Sequence, residues 1–274
     1  MNLQEAVQFT RTHRDSWRDG KGASTARINS NHVIRILGAD LPVEEIRTKH
    51  FTQITTQLKS EGKSPATINR INAALSTVLT ELRQHGFDAP RVEFKRQKES
   101  KGRPGFYTED EINRMLTVAS TWPDYLLMHD SLLFAIKTGC RQGEMLKLRY
   151  DDIDLDDQIV TFRDVKTDGD HTIKLHNDLI PVMARRLNFI IGYELFAWRD
   201  KDQLLRALRR LQAEAGVPAD RCWHSLRHTT ATWLLERDVN IRTVMGVLNH
   251  SNINTTLRYA KYTDRSVAAA IDKI

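Results

Sequence analysis

Between Ala89 and Gly105 the chain loses its periodicity: APRVEFKRQKESKGRPG has no sustained apolar repeat and carries six positive residues, Arg91, Lys95, Arg96, Lys98, Lys101 and Arg103, against two acids. Such a segment cannot lie inside one continuous core. It reads as a basic interdomain linker over 89–105, so the chain must fold as separate units, one over 1–88 and one from 106 onward. With 274 residues, 40% of them hydrophobic, both units have apolar material for a core.

Before the linker the apolar spacing is helical. Leu3, Ala6, Val7 and Phe9 mark a helix to about residue 13, a Gly-containing break follows at 19–22, and a second helix spans about 24–37 before Gly38. Val43 and Ile46 anchor a turn opened by Pro42, and a third helix runs over about 48–59. Ser64-Pro65 reads as an N-cap followed by a first-turn proline, after which Ile68, Ile71, Leu75, Val78, Leu79 and Leu82 carry an apolar stripe to Gly86. The spacing predicts a four-helix unit.

After the linker, T-E-D-E at 108–111 is a capping box opening a helix. A buried helix over about 126–137 ends at Gly139, and another over 142–148 follows, with Arg141 between them. Residues 158–165 alternate apolar and polar and are rich in β-branched types, and 171–175 answer them, giving a hairpin with Lys166 beside the turn at 167–170. Helices are expected over 177–191, 200–215, 224–237 and 241–248, then a turn at 249–254 with His250 and a last segment over 255–262. The fold class is mainly α with a small β-hairpin, α+β.

Chemistry concentrates between Arg221 and Tyr262. His224 and Arg227 are three apart, so on a helix they share a face and can converge on one anion. Arg presents a permanently charged fork of donors that matches phosphate oxygens, and His can exchange a proton near neutral pH. Tyr259 adds a nucleophile.

These residues carry a resemblance. H-x-x-R at 224–227, Gly-x-Leu-Asn-His ending at His250, and Thr-Thr-Leu-Arg-Tyr placing Tyr259 nine residues after that His resemble the tyrosine recombinases, the phage-integrase type of site-specific DNA recombinase. T138-G-C-R-Q-G-E-M-L-K-L148 resembles the family's first catalytic arginine motif, with Arg141 in that role and Glu144 as its acidic neighbour, and Lys166 matches the hairpin lysine. The resemblance runs from about Thr108 to the C-terminus. It implies six catalytic residues, Arg141, Lys166, His224, Arg227, His250 and Tyr259, that cut and rejoin DNA through a 3′-phosphotyrosine, with Tyr259 preferred over Tyr262 as nucleophile by its spacing from His250. It further implies a catalytic domain over 106–265 and a helical core-binding domain over 1–88 that clamps double-stranded DNA. Arg27, Arg35, Lys63, Arg70, Lys95 and Arg96 are then the candidate phosphate contacts. The assembly implied is a homo-oligomer, a tetramer in the synaptic complex, with an accessory DNA-bending or directionality factor as a further partner. The tail over 266–274, with Val267, Ala270, Ile271 and Ile274 on one helical face, is expected to dock on a neighbouring protomer.

Other classes fit less of the chain. A helix-turn-helix regulator accounts for 241–262 but leaves Arg141, Lys166 and the H-x-x-R pair unexplained, and a type IB topoisomerase shares the chemistry without needing paired sites. Cys140 and Cys222 form no C-x-x-C pair, and Cys222, His224 and His228 are better read as helix-packing and phosphate-facing groups, so no metal or other cofactor is expected. No apolar run approaches the ~20 residues that span a bilayer, and the amino terminus lacks a signal-peptide core, which points to no membrane partner and a cytoplasmic protein.

Charge is uneven. Residues 1–103 hold 18 Lys and Arg against 11 Asp and Glu, a net +7, whereas the whole chain is +6 and the remainder therefore −1. Affinity for a polyanion should accordingly reside in the first part of the chain and its linker. Measured against salt, DNA affinity of the full chain should fall more steeply than that of a fragment starting near Thr108; equal slopes would remove the argument.

Overall fold

The computed structural model describes residues 1–19, 22–99, 105–123, 125–165, 169–188 and 193–260. Contacts divide the chain into two units, Met1–Gly102 and Arg103–Ile274.

The first unit is helical. α1 (Leu3–His13) begins with a capping box, Asn2 accepting from the Glu5 backbone N–H while the Glu5 carboxylate accepts from that of Asn2. α2 (Asp15–Arg18) is a single extra turn that the sequence, read as four helices, does not announce: it buries no residue, so it leaves no apolar stripe. α3 (Ala23–Leu37) stops at Gly38, whose φ of 91° suits a residue without a side chain. α4 (Thr48–Ser60) precedes α5 (Pro65–Gln84), the longest helix, which Ser64 caps by accepting from the Thr67 N–H. Ile68, Ile71, Leu75, Val78, Leu79 and Leu82 of α5 meet Leu3 and Val7 of α1, Val33 of α3, and Phe51, Ile54 and Leu58 of α4 in one core.

Residues 89–99 have irregular backbone but belong to this unit. Ala89 is buried in its core, Val92 and Phe94 pack against it, and Phe94 stacks on Phe51 at 5.3 Å. The Asn69 side chain then clasps the segment, accepting from the Gln97 N–H at 2.8 Å and donating to the Gln97 carbonyl at 2.9 Å. Apolar residues at 89, 92 and 94 follow no helical period, which is why the stretch reads as linker from sequence alone.

In the second unit α6 (Glu109–Ala119) and α7 (Tyr125–Thr138) lead to α8 (Gln142–Met145), shorter than the helix expected over 142–148. A 3-10 turn (Tyr150–Asp152) enters an antiparallel sheet of order β1-β2-β3, made by β1 (Ile153–Asp154), β2 (Ile159–Val165) and β3 (Gly169–Lys174). The hairpin is the one expected; β1 is an addition, too short to show alternation. Val160 faces Ile173 and Phe162 faces His171 across the ladder. The helix expected over 177–191 is a 3-10 turn (Asn177–Leu179) followed by α9 (Ile180–Leu187), with Pro181 in its first turn, and its expected end falls outside the described residues. α10 (Lys201–Glu214), α11 (His224–Glu236), α12 (Ile241–Val247) and α13 (Ile253–Ala260) complete the unit. Phe134 of α7, Val160 and Phe162 of β2, Phe196, and Leu204, Leu208 and Leu211 of α10 build its main core. Ala231, Val244, Leu248 and Tyr259 form a small satellite core where α11, α12 and α13 meet. No helix among the described residues is long and apolar enough to cross a membrane.

One ion pair fastens the start of this unit to the approach to α11. Arg221 reaches the Glu111 carboxylate with both terminal nitrogens, at 2.5 and 2.7 Å, donates to the Phe106 carbonyl and lies over the Tyr107 ring at 4.7 Å. Glu111 also closes the capping box of α6, and Arg221 holds its carboxyl below the usual range. Glu111→Gln should therefore lower the urea-unfolding free energy of this unit at neutral pH by about 3 kcal/mol, the order expected when one partner of a largely buried pair is lost. A loss no larger than that of an exposed control such as Glu109→Gln would contradict the assignment.

Candidate active site

The site begins at a turn that only glycine can make. α7 ends at Thr138, and Gly139 follows with φ 64°; a Cβ there would lie 2.6 Å from Leu248 Cδ2 and 3.2 Å from Thr230 Cγ2. That close approach lets the end of α7 touch both α11 and the end of α12. It also delivers Arg141, whose extended backbone opens α8, into the space between them. Glu144, one turn on, accepts the Arg141 backbone N–H at 2.7 Å with one carboxylate oxygen and pairs with its guanidinium at 2.6 Å with the other.

Arg227 comes from the first turn of α11 and is 3% exposed. Its guanidinium donates to the Gly139 carbonyl at 2.8 Å and to the Leu248 carbonyl. Arg141 donates to the next carbonyl, that of Asn249, at 3.1 Å. Two arginines from distant parts of the chain thus share consecutive carbonyls of one turn, and Asn249 holds that turn in the left-handed region, φ 48°. Burial first, and then the charge of Arg141, draws the Arg227 pKa down to about 10. Glu144 offsets one of the two positive charges, so the pair keeps an excess that an anion would relieve.

Tyr259 stands beside this pair on α13, 4% exposed, and burial raises its phenol pKa. Its hydroxyl oxygen is 2.5 Å from His228 Nδ1. His250 lies nearly parallel to the Tyr259 ring, 6.5 Å between centroids and 9° between planes, with Nδ1 2.9 Å from the hydroxyl of buried Thr256. His224 meets His228 edge to face at 4.7 Å. Solvent reaches His224, yet packing against its neighbours still lowers its pKa, followed by the charges of Arg227 and Arg141. Burial and nearby positive charge bring both His228 and His250 down to about 4, so at neutral pH these two rings are uncharged.

Five of the six expected catalytic residues, Arg141, His224, Arg227, His250 and Tyr259, therefore converge. Lys166, like Tyr262 and the tail over 266–274, lies outside the described residues. The hairpin that carries Lys166 is tied to the site lower down, where His171 Nε2 of β3 is 3.2 Å from the Val247 carbonyl of α12. Between β3 and α12 runs an open groove of about 1020 Å³ lined by His171, Lys174, Arg242, His250 and Ile253. The candidate phosphate contacts all belong to the first unit. Arg27, Lys63, Arg70, Lys95 and Arg96 are exposed, while Arg35 is occupied by Glu61 at 2.8 Å.

His228 is the site residue that sequence reasoning missed. Weighed as a metal ligand and read instead as a phosphate-facing group, it has its Nδ1 against the Tyr259 hydroxyl. Its position four residues after His224 was a visible signal; which neighbour it faces was not.

A model of the phage integrase family matches residues 106–265. Tyrosine recombinase XerA of Thermococcus onnurineus is 26% identical over 288 residues, covering 99% of this chain and 95% of its own. XerA of Thermococcus kodakarensis is 28% identical, covering 98% and 95%, and the integrase of Escherichia phage P2 is 26% identical, covering 93% and 74%. In fold the chain is similar to the Tn1549 transposon integrase in complex with transposon right end DNA, with a TM-score of 0.79, 18% identity, and 100% and 99% of the two chains covered. It is likewise similar to a lambda integrase tetramer bound to a Holliday junction, with a TM-score of 0.79, 20% identity, and 94% and 77% covered.

Half-buried His228 and buried His250, both neutral, set a pH dependence. Their folded pKa of about 4 lies below the ordinary 6.5, so the stability they contribute is full above 6.5 and is lost as pH falls toward 4, where the unfolded chain takes up protons that the folded chain refuses. The urea midpoint of the second unit should drop across that window, and His228→Asn should remove part of the drop. Parallel curves for the two proteins would sink the argument.

Proposed function

The chain belongs to the phage integrase family, and from that premise we propose that Tyr259 is its nucleophile and that Arg141 and Arg227 bind the phosphate it attacks. The enzyme is a site-specific DNA recombinase that breaks and rejoins strands. The observation that carries the site assignment is the arginine pair. Held on the Leu248 and Asn249 carbonyls, with one carboxylate, Glu144, paired to Arg141, the two guanidiniums form a fixed, partly dehydrated positive site next to a buried tyrosine.

The phenolic oxygen bonds to phosphorus as the bond to the 5′-oxygen breaks, leaving a 3′-phosphotyrosine and a 5′-hydroxyl. Bond energy is conserved in the adduct, so a partner strand's 5′-hydroxyl can reverse the step and join the strands without ATP. Arg141 and Arg227 offset the charge of the pentacoordinate transition state, and because they are already in place they need no reorganisation to do so. His250 adds a hydrogen bond to a non-bridging oxygen through Nε2, its Nδ1 being engaged by Thr256. The proton for the departing oxygen is assigned to Lys166 by the family resemblance. The family resemblance gives His224 a share in accepting the tyrosine proton; at the solvent edge, with its ring against His228, it is placed to support phosphate binding.

Double-stranded DNA is the substrate, and the exposed cations of the first unit, Arg27, Lys63, Arg70, Lys95 and Arg96, contact its backbone. Arg35 joins them if it leaves Glu61. Two rounds of strand exchange require four protomers, in keeping with the lambda integrase tetramer solved on a Holliday junction. Integration or excision of a phage or other mobile element, in the cytosol where the DNA lies, is the biological setting that fits.

Tyr259→Phe removes one oxygen and should abolish the covalent adduct on a nicked suicide substrate while leaving DNA affinity nearly intact; Tyr262→Phe should still form it. Arg141→Ala should slow adduct formation by about 10²-fold or more without a comparable loss of binding. It is a cleaner test than Arg227→Ala, since Arg227 also ties α11 to two carbonyls. Adduct formation by Tyr259→Phe would overturn the assignment.

A further inference from the structure

Recombination needs something to take the proton of the attacking tyrosine, and three histidines share the site with Tyr259. Their geometry separates them. His250 lies parallel to the Tyr259 ring with Nδ1 on Thr256, and His224 touches the edge of His228 at 4.7 Å. The Tyr259 hydroxyl itself is 2.5 Å from His228 Nδ1, with 5.5 Å between the ring centroids. We propose that His228 is the catalytic residue that accepts the proton of Tyr259, an inference that rests on Tyr259 being the nucleophile.

The step balances within named atoms. His228 starts neutral with its proton on Nε2, so that its Nδ1 lone pair accepts a hydrogen bond from the phenol. As the phenolic oxygen bonds to phosphorus, the O–H bond breaks and an Nδ1–H bond forms, leaving an imidazolium; the P–O5′ bond breaks at the same centre, and the 5′-oxygen takes its proton from a separate donor. In the joining step the imidazolium returns its proton to the departing tyrosine, as microscopic reversibility requires.

Surrounding charge makes this base responsive to substrate. The charged and titratable groups acting on His228 are His224 and Arg227 on its own helix, and Arg258 and Tyr259 on α13; His250, from the turn between α12 and α13, is coupled to it. Together with burial, the positive groups keep the ring neutral and able to accept. A phosphodiester seated on Arg141 and Arg227 cancels part of that positive field. The imidazolium then becomes easier to form, so the base strengthens when DNA is in place and not before.

The test is single-turnover adduct formation on a nicked suicide duplex with His228→Asn in the full chain. Asn keeps a hydrogen-bond acceptor but cannot take the proton. Folding, by circular dichroism, and DNA affinity should be retained, while the rate at neutral pH falls by about 10²-fold or more. That deficit should shrink as pH rises from about 7 to about 9, because the small tyrosinate fraction grows tenfold per unit below the phenol pKa. It should persist on a duplex whose scissile 5′-oxygen is replaced by sulfur, a leaving atom that needs no proton. A wild-type rate, a deficit constant with pH, or a deficit erased by the sulfur substrate would each overturn the proposal. Should His228→Asn fold poorly, His228→Gln serves in the same measurements. Tyr259→Phe is run in parallel: if it forms adduct, the nucleophile assignment fails, whereas if it is inert and His228→Asn is normal, only the role of His228 fails.

Discussion

The second unit is organised around a buried guanidinium. Arg227 is bound by the carbonyls of Gly139 and Leu248, and Arg141 by the neighbouring carbonyl of Asn249. Hydrogen bonds from a charged donor are worth about 1.5–3 kcal/mol each, and a buried charge left without them costs more than it returns. The end of α7, the start of α11 and the end of α12 must therefore meet at one place for the unit to fold. The glycine at 139 exists for the same reason, since any side chain there would collide with Leu248 and Thr230. Fold and the proposed phosphate site thus depend on the same few bonds.

From this arrangement follows the electrostatic character of its surroundings. Burial first, and then the surrounding positive charge, keeps His228 and His250 neutral, and burial likewise keeps the Tyr259 phenol protonated. In the absence of DNA, Tyr259, His228 and His250 are uncharged beside the two charged arginines. On the proposed assignment, an incoming phosphate meets donors already aimed. Little has to move, and the charge of the substrate supplies what the resting site lacks.

The first unit handles its charge differently. Several of its cations are committed to structure: Arg14 to Glu81, Arg83 to the Pro90 carbonyl, and Arg11 to Ser30 and Asn31. Lys63, Arg70, Lys95 and Arg96 remain at the surface. Because 89–99 is strapped onto the core through Ala89, Val92, Phe94 and Asn69, the basic residues at 95 and 96 are held on a folded surface, which lowers the entropy lost when they meet a ligand.

Helices with a stripe and a cap, such as α1, α5 and α6, and the hairpin with its alternating strands, are legible because each signal is local: period, cap residue and turn residue lie within a few positions of one another. The residue types of the site are legible too, since H-x-x-R, His250 and Tyr259 lie within one short stretch. What escapes is whatever depends on contacts between distant segments. The single turn of α2 and the two-residue β1 are too short to carry a period, and the packing of 89–99 rests on partners in α4 and α5. The place of His228 shows the same limit most clearly. Sequence sets it four residues from His224 on one helix, but only the packing of α13 against α11 brings the Tyr259 hydroxyl to its Nδ1, because a hydrogen bond is decided by direction and ångström distance, and residue spacing along one helix contains neither for a partner on another.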